Sequence, residues 1–171
     1  MRMLRHKLGL VYTWLVWLVT FALPDVPLIM RLRGWLYSLV MKEAGRNFQV
    51  SSAARLYSID NLSVGNDVYI AANVIVNAGG SIKLSSEVMI GIGSVLISGN
   101  HTIDRGSYRF GQLTRKAIKV GFGSWIGANC TLVAGATVPP STLIGANSVV
   151  TKPLELSGVY VGTPAKIIKE S

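Results

Sequence analysis

One histidine opens the longest stretch of this sequence without a regular pattern. His101 begins the segment HTIDRGSYRFGQLTRK, and the only other histidine, His6, lies near the N-terminus. An imidazole can accept a proton near neutral pH, which suits it to general-base catalysis. Long irregular segments that leave a regular scaffold are also where functional residues concentrate. His101 is therefore the first candidate for a catalytic residue.

The segment that follows His101 is strongly basic. Its single acid, Asp104, stands among several cations: Arg105, Arg109, Arg115, Lys116 and Lys119. Such a run is usually a solvated face, but it could also bind an anion, such as a cofactor phosphate or an acidic sugar. Asp104 is one candidate for orienting the imidazole of His101, and a backbone carbonyl could do the same.

The residues around this segment repeat with a period of six. Aliphatic residues recur in three blocks: Val64, Ile70 and Val76; Leu84, Ile90 and Leu96, after a two-residue slip at Ile82 and Lys83; then Val120, Ile126, Leu132, Val138, Ile144 and Val150. Neither a helix, with about 3.6 residues per turn, nor a strand, with a period of about 2, gives this spacing. A short fixed period indicates a β-solenoid.

In such a solenoid each hexapeptide forms one short strand and one turn. We expect the aliphatic residue to point inward, with a small or β-branched residue four positions later beside it. A glycine often follows the aliphatic residue, and we expect it to permit a turn conformation that other residues resist. The repeat breaks at roughly residues 100–117, where His101 and the basic segment lie.

The first 46 residues have a different character. An uncharged apolar run from Leu8 to Leu23 follows a basic start, and a second apolar run follows Pro24 and Pro27. Sixteen helical residues reach roughly 24 Å, less than the ~30 Å hydrocarbon core of a bilayer. The prolines predict a turn between two helices.

Four interpretations of this segment remain open. It could be a signal peptide, although no small-x-small cleavage site precedes Pro24, or a single-span anchor. It could also be a helical hairpin in one leaflet, with both basic ends cytoplasmic, or a helical pair packed on the body or on a neighbouring subunit. We predict two regions: residues 1–46, an apolar and basic helical hairpin, membrane-associated or subunit-packing, and residues 47–171, the solenoid.

Charge and cysteine content limit the partners. The formal net charge is +9, from 17 Lys and Arg against 8 Asp and Glu, which favours partners that carry phosphate or carboxylate. No nucleic-acid-binding motif is present, so we predict no nucleic-acid partner. A single cysteine, Cys130, excludes an internal disulfide. Because Cys130 lies within the repeat, we predict that it is a small residue that fills the interior of a coil. Two histidines without a second cysteine predict no metal site.

The repeat, with WIGAN at residues 125–129 and the ending VGTPAKIIKES, resembles the hexapeptide-repeat acyltransferases. The resemblance covers roughly residues 50 to 171. The break with its histidine and the WIG restart look like the maltose, galactoside and xenobiotic acetyltransferase branch. The apolar N-terminus resembles members that modify surface polysaccharides. The resemblance implies a mainly β fold, a left-handed parallel β-helix shaped as a triangular prism, with a short C-terminal closing segment. It also implies a homotrimer with sites between adjacent prisms.

The resemblance also assigns roles to particular residues. It implies that His101 removes a proton from the acceptor as that atom attacks the thioester of acetyl-CoA, a co-substrate, with no metal. Asn77 matches a polar position that contacts the acceptor. The cofactor-binding positions are one tryptophan beside the pantetheine arm, three small residues and two lysines near the adenosine phosphates: Trp125, Ala128, Ala146, Thr151, Lys166 and Lys169.

These observations predict an acetyl-CoA-dependent O-acetyltransferase. Its acceptor is a sugar hydroxyl of a surface polysaccharide or of a lipid-linked precursor, at the cytoplasmic face of a bacterial inner membrane. One alternative is an N-acetyltransferase of a nucleotide-linked amino sugar, and another is a non-catalytic trimeric scaffold. A zinc hydratase of the same fold would need three histidines from two chains, and this chain offers one candidate.

Overall fold

The computed structural model describes residues 2–170, and the side chains of residues 7–170. Two helices, α1 (Arg2–Thr20) and α2 (Pro27–Ser38), precede a coiled chain of short strands that stack in parallel as three sheets. Each turn of the coil contributes one strand to each sheet. The architecture is a parallel β-helix with a triangular cross-section, as the period of six predicts.

The three sheets form the faces of a prism. Face A contains β1 (Glu43–Ala44), β4 (Leu62–Val64), β7 (Ile82–Leu84), β12 (Ile118–Val120) and β15 (Thr137–Val138). Face B contains β2 (Gln49–Val50), β5 (Tyr69–Ile70), β8 (Met89–Ile90), β13 (Trp125–Ile126), β16 (Leu143–Ile144), β18 (Gly158–Val161) and β19 (Lys166–Glu170). Face C contains β3 (Arg55–Tyr57), β6 (Ile75–Asn77), β9 (Val95–Ile97), β14 (Thr131–Val133) and β17 (Val149–Val150).

The aliphatic residues of the repeat form the core. Every one that the sequence assigned to the inside is buried, from Val64 to Val150. The two-residue slip also has a structural basis, because β7 buries Ile82 together with Leu84. Burial of a valine, leucine or isoleucine side chain contributes about 1.5–3 kcal/mol, so this column of aliphatic residues is the main source of stability.

The glycines after the aliphatic residues do not serve the purpose that the sequence suggested. Gly65, Gly91 and Gly127 do not adopt a positive φ; the left-handed residues lie two positions later and include Asp67, Gly93 and Asn129. These glycines are required by close approach instead. A Cβ on Gly127 would lie 2.6 Å from the carbonyl oxygen of Ile144 in the next coil, and one on Gly91 would lie 2.7 Å from the backbone of Gly127.

The helical pair packs on the first coil of the β-helix. Met30 and Tyr37 of α2 are buried, and Tyr37 joins Phe48 and Val50 in the hydrophobic core. The pair therefore covers the open end of the solenoid, which a repeat protein must protect from water. The structure thus packs the helical pair on the body of the β-helix. Within residues 2–170, no helix has both the length and the apolar character needed to cross a bilayer.

A buried arginine fixes this packing. The Arg33 side chain is 1% exposed and donates hydrogen bonds to Thr20 Oγ1 (3.1 Å), to the carbonyl oxygens of Thr20, Leu23 and Val50 (3.1, 3.3 and 2.6 Å) and to Asp25 Oδ1 (3.0 Å). It thus joins the end of α1, the turn at Asp25 and the first coil. A buried charge is tolerated when it is paired and hydrogen-bonded in this way.

A long hairpin and a closing strand interrupt the regular coils. Strands β10 (Gly99–His101) and β11 (Leu113–Arg115) pair antiparallel and leave the prism at the edge between faces C and A. At the other end, β19 folds back antiparallel on β18 and closes face B. The predicted loop at about 100–117 and the predicted C-terminal closing segment therefore both correspond to defined elements.

Candidate active site

The hairpin is anchored at its root by a buried serine. Ser98 donates from its hydroxyl to the carbonyl oxygen of Asn77 (3.0 Å) and accepts from the backbone N–H of Gly80 (2.9 Å). It therefore connects the start of the hairpin to the corner of the coil below. Ser98 cannot be recognised as an anchor from the sequence, because a small residue beside an aliphatic residue is ordinary in the repeat.

His101 lies on β10, opposite Leu113, and is exposed. Its imidazole makes no hydrogen bond within the described part of the chain, so both ring nitrogens are available to a ligand. The carboxylate of Asp104 contacts Arg105 (Oδ2 to Nε, 3.4 Å) rather than His101. In this chain Asp104 does not orient the imidazole.

Asn77 lies at the same edge of the prism as the hairpin. It ends β6, in register with Ile97 of the coil above, and its Oδ1 accepts from the backbone N–H of Gly79 (3.3 Å). A Cβ on Gly79 would lie 3.8 Å from Nε of Arg115, on the returning strand of the hairpin. The structure thus brings Asn77 and Arg115 to the root of the hairpin that carries His101.

Trp125 belongs to a row of outward-facing residues on face B. Its side chain is 49% exposed. Strand pairing places Trp125 in register with Met89 of the coil below and with Leu143 of the coil above. Leu143 is in turn in register with Val159, and Val159 with Lys169. Neighbouring strands are about 4.8 Å apart, so Trp125 and Lys169 are separated by roughly 14 Å. An apolar surface with a cation at its end suits an extended ligand with an anionic terminus.

The other predicted cofactor positions lie on different parts of the prism. Ala128 and Ala146 occupy successive coils at the edge between faces B and C, where the N–H of Asn147 donates to the carbonyl oxygen of Ala128 (2.9 Å). Lys166 is exposed on β19, near Lys169. Thr151 lies apart from these residues, exposed after β17 at the edge between faces C and A.

A single chain does not bring His101 and Trp125 together. In a triangular prism, the edge between faces C and A is opposite face B, so the hairpin and the Trp125 row lie on opposite sides. A site that contains both residues requires two copies of the chain. The exposed apolar side chains Ile103, Tyr108 and Phe110 on the hairpin would then face a neighbouring prism.

Cys130 is a structural residue. It is fully buried, and its thiol donates to the carbonyl oxygen of Gly145 (3.1 Å). Burial raises the pKa of this thiol, although backbone hydrogen bonds near Ser148 and Asn147 partly lower it. A buried thiol with a raised pKa is a poor nucleophile.

Among the described residues, no group of three or more His, Cys, Asp or Glu is placed to hold a metal ion.

Comparison with known proteins relates the chain to acetyltransferases. It is 31% identical over 126 residues, 72% of its length, to WbbJ of Escherichia coli (strain K12), assigned as an O-acetyl transferase of lipopolysaccharide biosynthesis. It is 27% identical over 158 residues, 92% of its length, to WcaF of the same strain, assigned as an acetyltransferase of colanic acid biosynthesis. No protein-family model matches the sequence.

A solved structure shows the same fold. The hexapeptide-repeat acetyltransferase VCA0836 of Vibrio cholerae, in complex with acetyl-CoA, superposes with a TM-score of 0.84 at 21% identity, covering 96% of this chain and 87% of that one. The matched region spans 58% of the length of WbbJ but 84% of the length of WcaF.

Proposed function

We propose that this chain, a member of the hexapeptide-repeat acyltransferases, is an acetyl-CoA-dependent O-acetyltransferase. Its acceptor is a sugar hydroxyl of a surface polysaccharide or of a lipid-linked precursor. The observation that carries the proposal is the position of His101. Its imidazole is exposed and makes no hydrogen bond to any residue that the structure describes, and it lies on a hairpin rooted beside Asn77 and Arg115.

The reaction that this arrangement supports is general-base catalysis of acyl transfer. A ring nitrogen of His101 accepts the proton of the acceptor hydroxyl while the oxygen attacks the thioester carbonyl carbon. The tetrahedral intermediate then collapses, the carbon–sulfur bond breaks, and the imidazolium returns the proton to the departing thiolate of CoA. Backbone N–H groups are the natural donors to the transient oxyanion. Asn77 and Arg115 would hold the acceptor.

The donor binds along face B in this proposal. The pantetheine arm lies over the apolar row that contains Trp125, and the phosphates approach Lys166 and Lys169. Ala128 and Ala146 offer backbone groups at the adjacent edge. Because this surface and His101 are on opposite sides of one prism, the proposed active unit is a homotrimer with three shared sites. Thr151, near the hairpin edge, would then contact CoA held mainly by the neighbouring chain.

The outer surface of the helical pair supports membrane association. Apolar side chains with more than a third of their surface exposed lie along both helices and at the residue that follows each helix: Leu8, Leu10, Val11, Trp14, Leu15, Leu18, Val19, Phe21, Leu28, Leu32, Trp35 and Leu39. Large exposed apolar patches mark interaction sites. Lys7, Arg31 and Lys42 flank this surface and would approach anionic headgroups. We place the protein at the cytoplasmic face of the inner membrane.

The first test is acetyl transfer by the purified chain to free saccharides, nucleotide sugars and lipid-linked saccharides. Replacing His101 with alanine is expected to lower kcat by about 10²–10⁴-fold, because the proton acceptor is lost. Binding of acetyl-CoA, followed by calorimetry, should remain unchanged.

The matched control is Thr114→Val on the partner strand of the hairpin, which should keep wild-type activity. Equal activity of His101→Ala and wild type would contradict the general-base role. A wild-type chain that neither binds acetyl-CoA nor transfers acetyl groups would leave only the scaffold hypothesis. Preference for an amino sugar would favour N-acetylation.

A further inference from the structure

A cavity between α1 and the first coil is lined by two residues, Trp17 and Arg55, that each have a buried polar atom without a hydrogen-bond partner among the described residues. The cavity has a volume of about 270 Å³ and is lined by Leu10, Trp14 and Trp17 of α1, by Tyr37, and by Arg55 and Tyr57 of β3. The indole Nε1 of Trp17 and the guanidinium Nη1 of Arg55 are buried and have no hydrogen-bond acceptor among the described residues. A buried donor without a partner is costly and requires an explanation.

Arg55 forms no ion pair with any acidic side chain among the described residues. Its guanidinium stacks on the Trp17 ring, with Cζ 3.7 Å from the ring centroid. The ion pairs within the described residues involve Arg33 and Arg105, not Arg55. Burial raises the pKa of Tyr37 to about 12, although Arg33 and Arg55 lower it, so this phenol stays neutral. A guanidinium and an indole N–H are donors that suit an anionic oxygen ligand such as a phosphate.

The rest of the cavity is apolar and continues onto an exposed apolar surface. Leu10 and Trp14 line the cavity and are also 39% and 54% exposed on the outside of α1. Val11 and Leu18 extend this surface along the helix. A ligand that combines an anionic head with a hydrocarbon chain would therefore place its head at Arg55 and its chain along α1.

The cavity also lies on the path to the proposed acceptor site. Tyr57, which lines it, is in register with Asn77 of the next coil, and Asn77 is in register with Ile97 at the root of the hairpin. Two strand spacings of about 4.8 Å separate Tyr57 from Ile97, which is roughly 10 Å. A saccharide that extends from the cavity along this row reaches the root of the hairpin that carries His101.

We propose that Arg55 and Trp17 bind the phosphate that links the acceptor saccharide to its lipid carrier, with the hydrocarbon chain of that carrier on α1. The inference rests on the proposed function, and it specifies the acceptor as a phosphate ester of a long-chain lipid. The sugar then extends from the phosphate past Tyr57 and Asn77 to His101. The phosphate then lies between α1 and the first coil, and the hydrocarbon chain lies on the outer surface of α1.

Binding is tested first, on the full chain, with farnesyl phosphate as the probe. Calorimetry should give a Kd at least about tenfold lower for farnesyl phosphate than for farnesol or inorganic phosphate, since the site needs both parts of the ligand. Arg55→Gln should reduce the affinity for farnesyl phosphate to that for farnesol. Trp17→Phe, which keeps an aromatic ring and removes the N–H, should weaken binding several-fold.

The matched control is Lys83→Gln on face A, which removes one exposed charge far from the cavity and should bind as wild type. Thermal unfolding of each variant checks that the fold is retained, and Trp17→Phe remains informative if Arg55→Gln unfolds. Equal affinity of wild type and both cavity variants would overturn the proposal. So would equally strong competition from dioleoylphosphatidylglycerol vesicles, which would assign the site to membrane phospholipid.

Activity provides the second readout. The ratio of kcat/KM for a saccharide on an isoprenyl phosphate to that for the free saccharide should fall at least about tenfold in Arg55→Gln. It should not change in Lys83→Gln. An unchanged ratio in Arg55→Gln would overturn the proposal. If wild type transfers acetyl to no acceptor but still binds farnesyl phosphate through Arg55, the proposed function fails while the lipid-phosphate site stands.

Discussion

At the residue scale, the glycines of this chain differ in how much space surrounds them. Gly127 lies where two coils approach so closely that a side chain would meet backbone atoms, with Ile144 O at 2.6 Å and Ala146 N at 2.9 Å from an added Cβ. Gly9, in α1, has no atom within 4 Å of the same position. The same residue type is thus obligatory in the prism and dispensable in the helix.

This difference predicts opposite effects of alanine. Gly127→Ala should lower the free energy of unfolding by about 2 kcal/mol or more, because rigid backbone must move to admit the methyl group. Gly9→Ala, the control, should raise it by up to about 1 kcal/mol, because alanine favours the helix. Urea denaturation at a fixed protein concentration measures both. Similar effects of the two substitutions would show that coil packing at Gly127 is not close.

At the element scale, the position of the helical pair depends on a small polar network. Asp25 accepts from Arg33, from the hydroxyl of Ser51 and from the backbone N–H of Ser52 (2.8 Å). Burial alone would raise the pKa of Asp25, but these hydrogen bonds and the charge of Arg33 together lower it below 3.8. The turn between the helices is therefore joined to the first coil by an ionised carboxylate.

The lowered pKa makes the stability of this docking pH-dependent. The unfolded chain binds a proton at Asp25 more readily than the folded chain does. The ionised carboxylate therefore contributes its full stabilisation of the folded state above the ordinary pKa of 3.8. This contribution is lost as the pH falls through the lower pKa of the folded state. Asp25→Asn should cost about 1–2 kcal/mol at pH 7 and should flatten the acid limb of the profile. Urea midpoints between pH 7 and pH 3 test this.

The control for this profile is Glu155→Gln, which removes an exposed acid far from the helical pair and should follow wild type. An Asp25→Asn profile parallel to that of wild type down to pH 3 would show that the carboxylate does not link folding to pH here. Loss of stability in both variants would indicate a general charge effect.

At the scale of the whole molecule, the prism separates the groups that acetyl transfer requires. Three hexapeptides per coil put the hairpin at one edge and the Trp125 row on the opposite face. A closed ring of identical chains meets through heterologous contacts, so the edge of one chain can meet the face of the next. The proposed active site then exists only in the assembly.

This arrangement predicts complementation between two inactive variants. His101→Ala lacks the base, and Trp125→Ala lacks the donor surface, but a mixed trimer contains interfaces with an intact residue from each chain. After subunit exchange, about a quarter of the interfaces should be intact, because each partner is wild type at the relevant position in half of the cases. Activity of the mixture should rise accordingly, and mass measurement should give three chains.

The control is the mixture of His101→Ala with His101→Gln, in which no interface regains a histidine. If the first mixture stays as inactive as this control although subunits exchange, the two residues do not act across one interface. A monomeric active enzyme would equally contradict the shared site.

The inside of the β-helix could be predicted from the sequence because it is a local property. Each hexapeptide contains one aliphatic residue at a fixed position, and this residue points inward. The series from Val64 to Val150 therefore identifies the core without knowledge of the neighbouring coils. The hairpin and its histidine were visible for the same reason, as an interruption of that series. The role of Gly91 and Gly127 was not, because the atoms that exclude a Cβ belong to residues one coil away.

What the tertiary structure decided is where these local features meet. An apolar helix can be buried by lipid or by protein, and the sequence is compatible with both; the burial of Arg33 against Val50 and Thr20 shows packing on the first coil. The stacking of Arg55 on Trp17 joins residues from a helix and a strand that no repeat relates. The sequence by itself determined the period, and hence the core and the fold. Distances between residues on different elements depend on how those elements pack, and only the folded chain contains that information.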